Sequence, residues 1–149
     1  MTRDMVASMA RRWEANGESI ALASGAFDLL HVGHLAYLEA LHFRAEKLIV
    51  AVMSDRTVAL KASGRPIIPE QQRLEMVESL LVIDAAFIFD EIGDDKNLEV
   101  IRPDIFGRGD GHDENMTEKA TLDRLGIKVV LIHTPRITST TEIIQRIRQ

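Results

Sequence analysis

The chain of 149 residues contains no cysteine, and this absence excludes several kinds of chemistry. Without thiols the protein can form neither a disulfide nor a zinc–thiolate site, and it has no thiolate nucleophile. Aromatic residues make up only 5% of the sequence, with one tryptophan, Trp13. Trp13 lies in an amphipathic stretch, and we interpret it as a packing residue rather than a platform for base stacking.

Long hydrophobic runs are also missing. The longest, such as residues 48–53, are far too short to cross a bilayer. The first 13 residues have no apolar segment of the kind found in secretory signals. We therefore expect a cytoplasmic protein without membrane contact. The formal net charge of −5 argues against coating of nucleic acid, which usually requires a basic excess.

The sequence has neither an internal repeat nor a linker-like segment, and its length suits one domain over residues 1–149. Apolar runs predict strands at 20–23, 47–53, 85–89, 105–106 and 127–132. Helices are predicted at 4–15, 35–42, 69–81, 97–101, 114–125 and from 139 onwards. This alternation predicts an α/β fold, Rossmann-like and doubly wound, with a mostly parallel sheet and helices on both faces.

One stretch combines glycine and histidine where a strand gives way to a helix: residues 25–34, G-A-F-D-L-L-H-V-G-H. Gly25 and Gly33 allow close backbone approach or a positive φ. His31 and His34 are three residues apart at the helix entrance, so they can face one side. The free N–H groups of a helix N-terminus attract anions, and two imidazoles there can donate to phosphate oxygens. The alternative is that both histidines only cap or pack the helix.

This stretch resembles the G-x-F-D-x-x-H-x-G-H signature of the cytidylyltransferase-like nucleotidyltransferases. The family includes glycerol-3-phosphate cytidylyltransferase, archaeal FAD synthetase and the adenylyltransferase domain of ADP-heptose synthase. The resemblance implies transfer of a nucleoside monophosphate from ATP or CTP to a phosphorylated sugar or polyol, with release of pyrophosphate. It also implies Mg²⁺ as cofactor and a homodimer. Two alternatives stay open, namely an FAD-synthetase-like adenylyltransferase and a nucleotide-binding module without turnover.

The resemblance further implies roles for individual residues. Residues 61–67, K-A-S-G-R-P-I, are similar to the family's K-x(n)-G-R-P-I segment, so His31, His34 and Lys61 are the expected catalytic residues. The expected nucleotide-binding residues are Gly25, Ala26, Phe27, Gly33, Arg108, Asp110, Ser139 and Thr140. The second substrate is expected to contact Asp28, Arg65 and Arg136. From its charge alone, the segment 56–66 could equally be a solvated basic loop.

Three further segments bear on the site. The acidic residues 90–95 follow a strand and could hold Mg²⁺ or simply precede a helix. Residues 107–113, rich in glycine, predict a loop that contacts a ligand. Ser139 and Glu142 have the S-x-x-E spacing of a capping box, in a stretch similar to the family's I-S-T-T-x-I-I ending. Arg73 has two interpretations, a surface ion pair with Glu70 or a role in the site.

Overall fold

The computed structural model describes residues 1–109, 116–133 and 138–149. Its five strands form one sheet in the order β3-β2-β1-β4-β5, and every pairing is parallel. The strands are β1 (Ile20–Gly25), β2 (Lys47–Met53), β3 (Ala85–Phe89), β4 (Ile105–Gly109) and β5 (Lys128–Ile132). The helices are α1 (Arg3–Ala15), α2 (Val32–His42), α3 (Asp55–Lys61), α4 (Glu70–Glu78), α5 (Asp95–Ile101), α6 (Lys119–Leu125) and α7 (Thr140–Ile147). The predicted Rossmann-like α/β fold is confirmed.

The sheet is buried on both faces, which explains why its strands read as continuous apolar runs. Along β2, alternate residues enter different cores. Ile49 and Ala51 pack with α1, α5 and α6, whereas Leu48 and Val50 pack with α2 and α4. Among the described helices, none is long and apolar enough to span a membrane.

Two segments differ from the sequence-based expectation. Residues 55–61 form α3, whose N-cap Ser54 accepts a hydrogen bond from the Thr57 N–H, so the first part of the segment 56–66, for which a basic loop was the alternative interpretation, is helical. Residues 107–109, expected in a loop, belong to β4, where they pair with β5. Both elements are short, and their stability comes from tertiary contacts rather than from local sequence pattern. The remaining residues of that expected loop, 110–113, lie outside the described residues.

The strand order places a topological switch point between β1 and β4. From β1 the chain proceeds outward to β2 and β3, then returns to the other side of β1 for β4 and β5. In sheets of this kind the crevice at the carboxyl ends of the two diverging strands receives the ligand. The glycine–histidine turn follows β1 directly, so the fold places it at this crevice.

Candidate active site

The turn after β1 has an unusual backbone path, and its glycines are not the residues responsible for it. The left-handed φ values belong to Phe27 (49°) and Leu29 (50°) rather than to Gly25 or Gly33. Phe27 is buried, and its ring lies so close to Gly25 that a Cβ there would approach within 3.1 Å of it. Gly25 is therefore required by close packing. Strained φ values at two non-glycine residues indicate a turn that the surrounding structure holds in place.

His31 and His34 cap α2 reciprocally. The Nδ1 of His31 accepts from the N–H groups of Gly33 at 3.1 Å and of His34 at 3.4 Å. The Nδ1 of His34 accepts from the His31 N–H at 3.4 Å, which completes a capping box. The two rings stack with their centroids 3.9 Å apart. The capping interpretation of the sequence is thus correct, and it occupies only one nitrogen of each ring.

The surroundings disfavour positive charge on both rings. Burial lowers the pKa of His34 to about 4; the neighbouring His31 and the Arg65 guanidinium act in the same direction, against the charge of Asp28. Burial also lowers the pKa of His31, partly offset by the Glu142 carboxylate. Both imidazoles are therefore neutral near pH 7 in the nucleotide-free protein.

A second helix N-terminus lies beside the first. The carbonyl oxygen of Thr138 comes within 3.1 Å of where a Cβ on Gly33 would be, so a side chain at position 33 would clash with it. The Thr140 hydroxyl donates to the carbonyl of Asp28 at 2.8 Å. Ser139 and Glu142 form the predicted capping box at the start of α7. Two sets of helix N–H groups thus converge on one region, the arrangement that attracts phosphates.

Asp28 attaches the turn to the segment 65–68 through its carboxylate. Its buried carboxylate accepts from Arg65 Nε at 3.1 Å and from the N–H groups of Ile67 and Ile68. Burial would raise the pKa of Asp28, but the backbone hydrogen bonds from Ile67 and Ile68, together with Arg65, lower it below its usual value. Asp28 therefore holds residues 65–68 against the turn. With its oxygens engaged in this way, it orients the turn more readily than it could bind an acceptor.

Arg73 is the residue whose environment the sequence did not reveal. Its buried guanidinium donates to the carbonyl of Ala26, to the carbonyl of Ile68 at 2.8 Å, and to Asp55 at 2.8 Å. The surface pair with Glu70 is not formed; the Glu70 carboxylate instead accepts from the Asp55 N–H. Arg73 thereby joins the turn, the 65–68 segment and the start of α3.

Lys61 is the last residue of α3 and is exposed. Its Nζ lies 3.5 Å from the Met53 sulfur, and within the described ranges no carboxylate pairs with it. A lysine without a fixed partner can reach a bound anion as a mobile charge.

Arg108 lies inside β4, not in a loop, and its guanidinium is already engaged. It pairs with Glu118 at 3.0 Å and approaches Asp94 at 3.8 Å, and it stacks on Phe106. Asp94 also accepts from the Ser24 hydroxyl at 2.6 Å. This buried cluster joins β1 and β4 just beneath the crevice.

Two expected site residues, Asp110 and Arg136, lie outside the described residues. Of the other expected residues, the structure brings Gly25, Ala26, Phe27, Asp28, His31, Gly33, His34, Arg65, Ser139 and Thr140 together at the turn and the start of α7. Lys61 joins them through α3, and Arg108 lies below.

The acidic side chains of the described residues are not clustered as metal ligands. No group of three histidine or acidic side chains suited to a metal occurs among them. Asp90, in the acidic segment considered for a metal, instead binds Arg56 at 2.8 Å. In the same segment, Asp94 pairs with Arg108 and precedes α5. For this segment the alternative interpretation, residues at the entrance of a helix, describes the structure better.

The comparisons with known proteins identify the family of the chain. A family model described as cytidylyltransferase-like matches residues 22–146. The chain therefore belongs to the cytidylyltransferase-like family, which confirms the resemblance drawn from the glycine–histidine turn.

The relatives include two kinds of enzyme. The bifunctional protein HldE of Methylobacillus flagellatus is 36% identical over 146 residues, which cover 97% of this chain but only 30% of that protein. The FAD synthase of Methanohalophilus mahii is 41% identical over 134 residues, covering 85% of this chain and 92% of that protein.

Solved structures show the same fold. The lipopolysaccharide core biosynthesis protein from Thermoplasma volcanium superposes with a TM-score of 0.65 at 30% identity, covering 79% of this chain and 97% of that one. A pantoate-beta-alanine ligase from Francisella tularensis has the same TM-score of 0.65 at 14% identity, a likeness that concerns the fold alone.

Proposed function

We propose that this chain transfers a nucleoside monophosphate from ATP or CTP to a phosphorylated sugar or polyol. The observation that carries the proposal is the convergence of two helix N-termini, one of them capped by His31 and His34. A phosphate oxygen of the acceptor attacks the α-phosphorus, the bond to the bridging oxygen breaks, and pyrophosphate leaves with that electron pair. Such a transfer needs no covalent enzyme intermediate, because positioning and charge stabilisation provide the catalysis.

We assign the following roles to the residues of the site. The N–H groups at the starts of α2 and α7 hold the phosphates, and the imidazoles of His31 and His34 donate to oxygens on which negative charge accumulates. Lys61 reaches over them as a mobile cation. Ser139 retains a hydroxyl proton for a phosphate, whereas the Thr140 hydroxyl is committed to Asp28, so Thr140 contributes only its backbone.

Mg²⁺ remains part of the proposal as a companion of the triphosphate. Mg²⁺ in nucleotide sites is commonly held by phosphate oxygens and water with few protein ligands, which suits a turn whose described carboxylates are engaged elsewhere. Chelation with EDTA should abolish pyrophosphate release, and added Mg²⁺ should restore it.

The sugar or polyol acceptor rests on two supports. Residues 25–34 and 61–67 resemble the adenylyltransferase domain of ADP-heptose synthase, and the Thermoplasma volcanium relative is a lipopolysaccharide core biosynthesis protein. Because that domain is an adenylyltransferase, we favour ATP slightly over CTP as the nucleotide substrate.

A second candidate is adenylyl transfer to flavin mononucleotide, as in an FAD synthase. It is favoured by the FAD synthase relative, nearly all of whose length this chain covers. A cavity of about 890 Å³ beside the turn also suits a flat apolar ring better than a sugar, since Leu29, Leu30, Met76 and Ile143 line much of it.

A grid of ATP, CTP, GTP and UTP against heptose 1-phosphate, glycerol 3-phosphate and flavin mononucleotide decides between these acceptors. Pyrophosphate release is followed with Mg²⁺ present, and His34→Ala serves as the control for activity at this site. Release with a sugar or polyol phosphate supports the first candidate, and release with flavin mononucleotide alone supports the second. If no combination reacts while triphosphate still binds to the wild-type protein, a binding module without turnover becomes the better description.

A further inference from the structure

The capping box on α2 restricts where the two imidazoles can carry protons. A neutral imidazole has one protonated nitrogen and one that accepts. In both His31 and His34 the accepting nitrogen is Nδ1, because each Nδ1 faces a backbone N–H. A proton on either Nδ1 would point at another donor and remove a hydrogen bond from the first turn of the helix.

We infer that His31 and His34 act together as neutral donors, each protonated at Nε2 only, and that the phosphate-binding turn is intact only in this form. The stacking of the rings at 3.9 Å supports the inference, since two imidazolium ions at that distance would repel each other. The inference deepens the proposed function and rests on it for the identity of the ligand, but the proton positions belong to the free protein.

The charged groups around the pair come from several elements. Asp28 in the turn and Arg65 in the segment that packs on it face His34 with opposite signs. Glu142 on α7 is the charged group that acts on His31. Arg65 pairs with Asp28, whereas no ion pair of Glu142 is seen within the described residues, so removing the Glu142 charge changes the charge balance of the histidine pair without breaking such an ion pair.

This arrangement makes a prediction opposite to that of an ordinary cationic site. Histidines that bind phosphate as imidazolium ions take up a proton when the ligand binds, because the negative charge of the phosphate raises their pKa, so mild acid strengthens such a site. Here each histidine offers an Nε2–H without net charge, and acidification adds the proton at Nδ1, where it opens the helix start. Acid strong enough to protonate either imidazole should therefore weaken ligand binding at this site.

Nitrogen-15 NMR of the histidine side chains tests the inference directly, on the full chain without nucleotide at pH 7.5. His31→Gln and His34→Gln identify the two signals among the five histidines by their loss. We expect both residues to show a protonated Nε2 and an unprotonated Nδ1. A Nδ1–H tautomer or an imidazolium at either residue would overturn the inference.

A titration with a matched variant gives the second readout. Glu142→Gln keeps an oxygen for the Ser139 N–H but removes the charge beside His31, so the pKa of His31 should move further down while that of His34 changes less. An upward shift, or a His31 that titrates above 6.5 in the wild type, contradicts the proposed protonation state.

A pair of substitutions separates the cap from the donor. Asparagine is a good N-cap but lacks an equivalent of Nε2–H, so His31→Asn should keep the melting temperature close to that of the wild type, whereas His31→Ala should lower it. Both should weaken binding of α,β-methylene-ATP about tenfold or more, measured by calorimetry. Full affinity in His31→Asn would show that the Nε2–H does not contact the phosphates and would overturn that part of the inference.

If the tautomers are as expected but the wild type does not bind the analogue, the proposed function fails and the protonation state stands.

Discussion

The two helices that meet at the candidate site begin with the same hydrogen-bonding pattern, built from different residues. At α2 the reciprocal bonds join His31 and His34, whereas at α7 they join Ser139 and Glu142. The serine–glutamate box stabilises its helix and brings a negative charge to the N-terminus. The histidine box satisfies the same backbone groups with one nitrogen per ring and leaves a second nitrogen for a ligand. One hydrogen-bonding pattern for helix capping can therefore leave different groups free at the helix start.

The two helix starts also differ in the interactions that attach them to the rest of the protein. The turn before α2 is held by buried charges, with Asp28 bound to Arg65 and Arg73 bound to the Ala26 carbonyl. The start of α7 is joined to the same turn through the Thr140 hydroxyl. We therefore expect substitutions at α2 to act mainly on turnover and those at α7 to act mainly on stability.

The largest effect is expected at the histidine box. His34→Ala should lower kcat about a hundredfold or more, because it removes a preorganised donor to the charged transition state. Pyrophosphate release at saturating triphosphate is the measurement, with circular dichroism as the check on folding. Near-normal turnover would mean that the α2 box is only a cap.

A smaller loss of turnover is expected when Lys61 is substituted. Lys61→Ala should lower kcat about tenfold, since it removes a cation free to contact phosphate. Arg56→Ala is the matched control: Arg56 lies on the same helix, but its guanidinium pairs with Asp90 and both side chains are largely exposed. Equal and small effects of the two substitutions would return Lys61 to the role of a surface charge. Arg65 is a poorer control, because its removal would leave the buried Asp28 carboxylate without its ion-pair partner.

At the serine–glutamate box the expected effect is on stability. Ser139→Ala should reduce the free energy of unfolding by about 0.5–2 kcal/mol through the lost cap. Thr141→Ala, at an exposed position on the same helix, should change it little. Urea unfolding gives the stability, and calorimetry with α,β-methylene-ATP gives the affinity. A stability loss with unchanged affinity would confine Ser139 to capping and sharpen the contrast between the two helix starts.

A further expected effect is a pH dependence of the free energy of unfolding. The pKa of His34 is about 4 in the folded protein, against 6.5 ordinarily, so between these values the unfolded chain binds a proton that the folded protein does not. Stability should therefore fall as the pH falls from about 6.5 towards 4, and His34 should contribute no pH dependence above that range. Urea unfolding of the wild type and of His34→Gln checks this. An identical pH dependence in both proteins would contradict the lowered pKa.

Much of this architecture could be predicted from local pattern. The strands were recognisable as apolar runs because a parallel sheet covers both faces of each strand. The cap at Ser139 was recognisable because its partner is three residues away. The glycine–histidine turn was recognisable because its chemistry is concentrated within ten residues, and the family match over 22–146 confirms that interpretation.

The errors occurred where the partner was distant in the chain. The sequence left Arg73 between a surface ion pair with Glu70 and a role in the site, because its hydrogen bond to Ala26 spans 47 positions. Arg108 was placed in a loop, although pairing with β5 continues the strand through it and Glu118 neutralises it from the next helix. Neither environment leaves a periodic signal in the sequence.

The sequence by itself determined the element order, the class of fold and the residues of the glycine–histidine turn, because propensity, burial pattern and capping act over a few residues. Tertiary structure alone decided which nitrogen of each histidine is occupied, which carboxylate holds Arg73, and how close the start of α7 lies to α2. Buried polar groups must be satisfied by whatever partners the fold brings near them, and those partners are not neighbours in the chain.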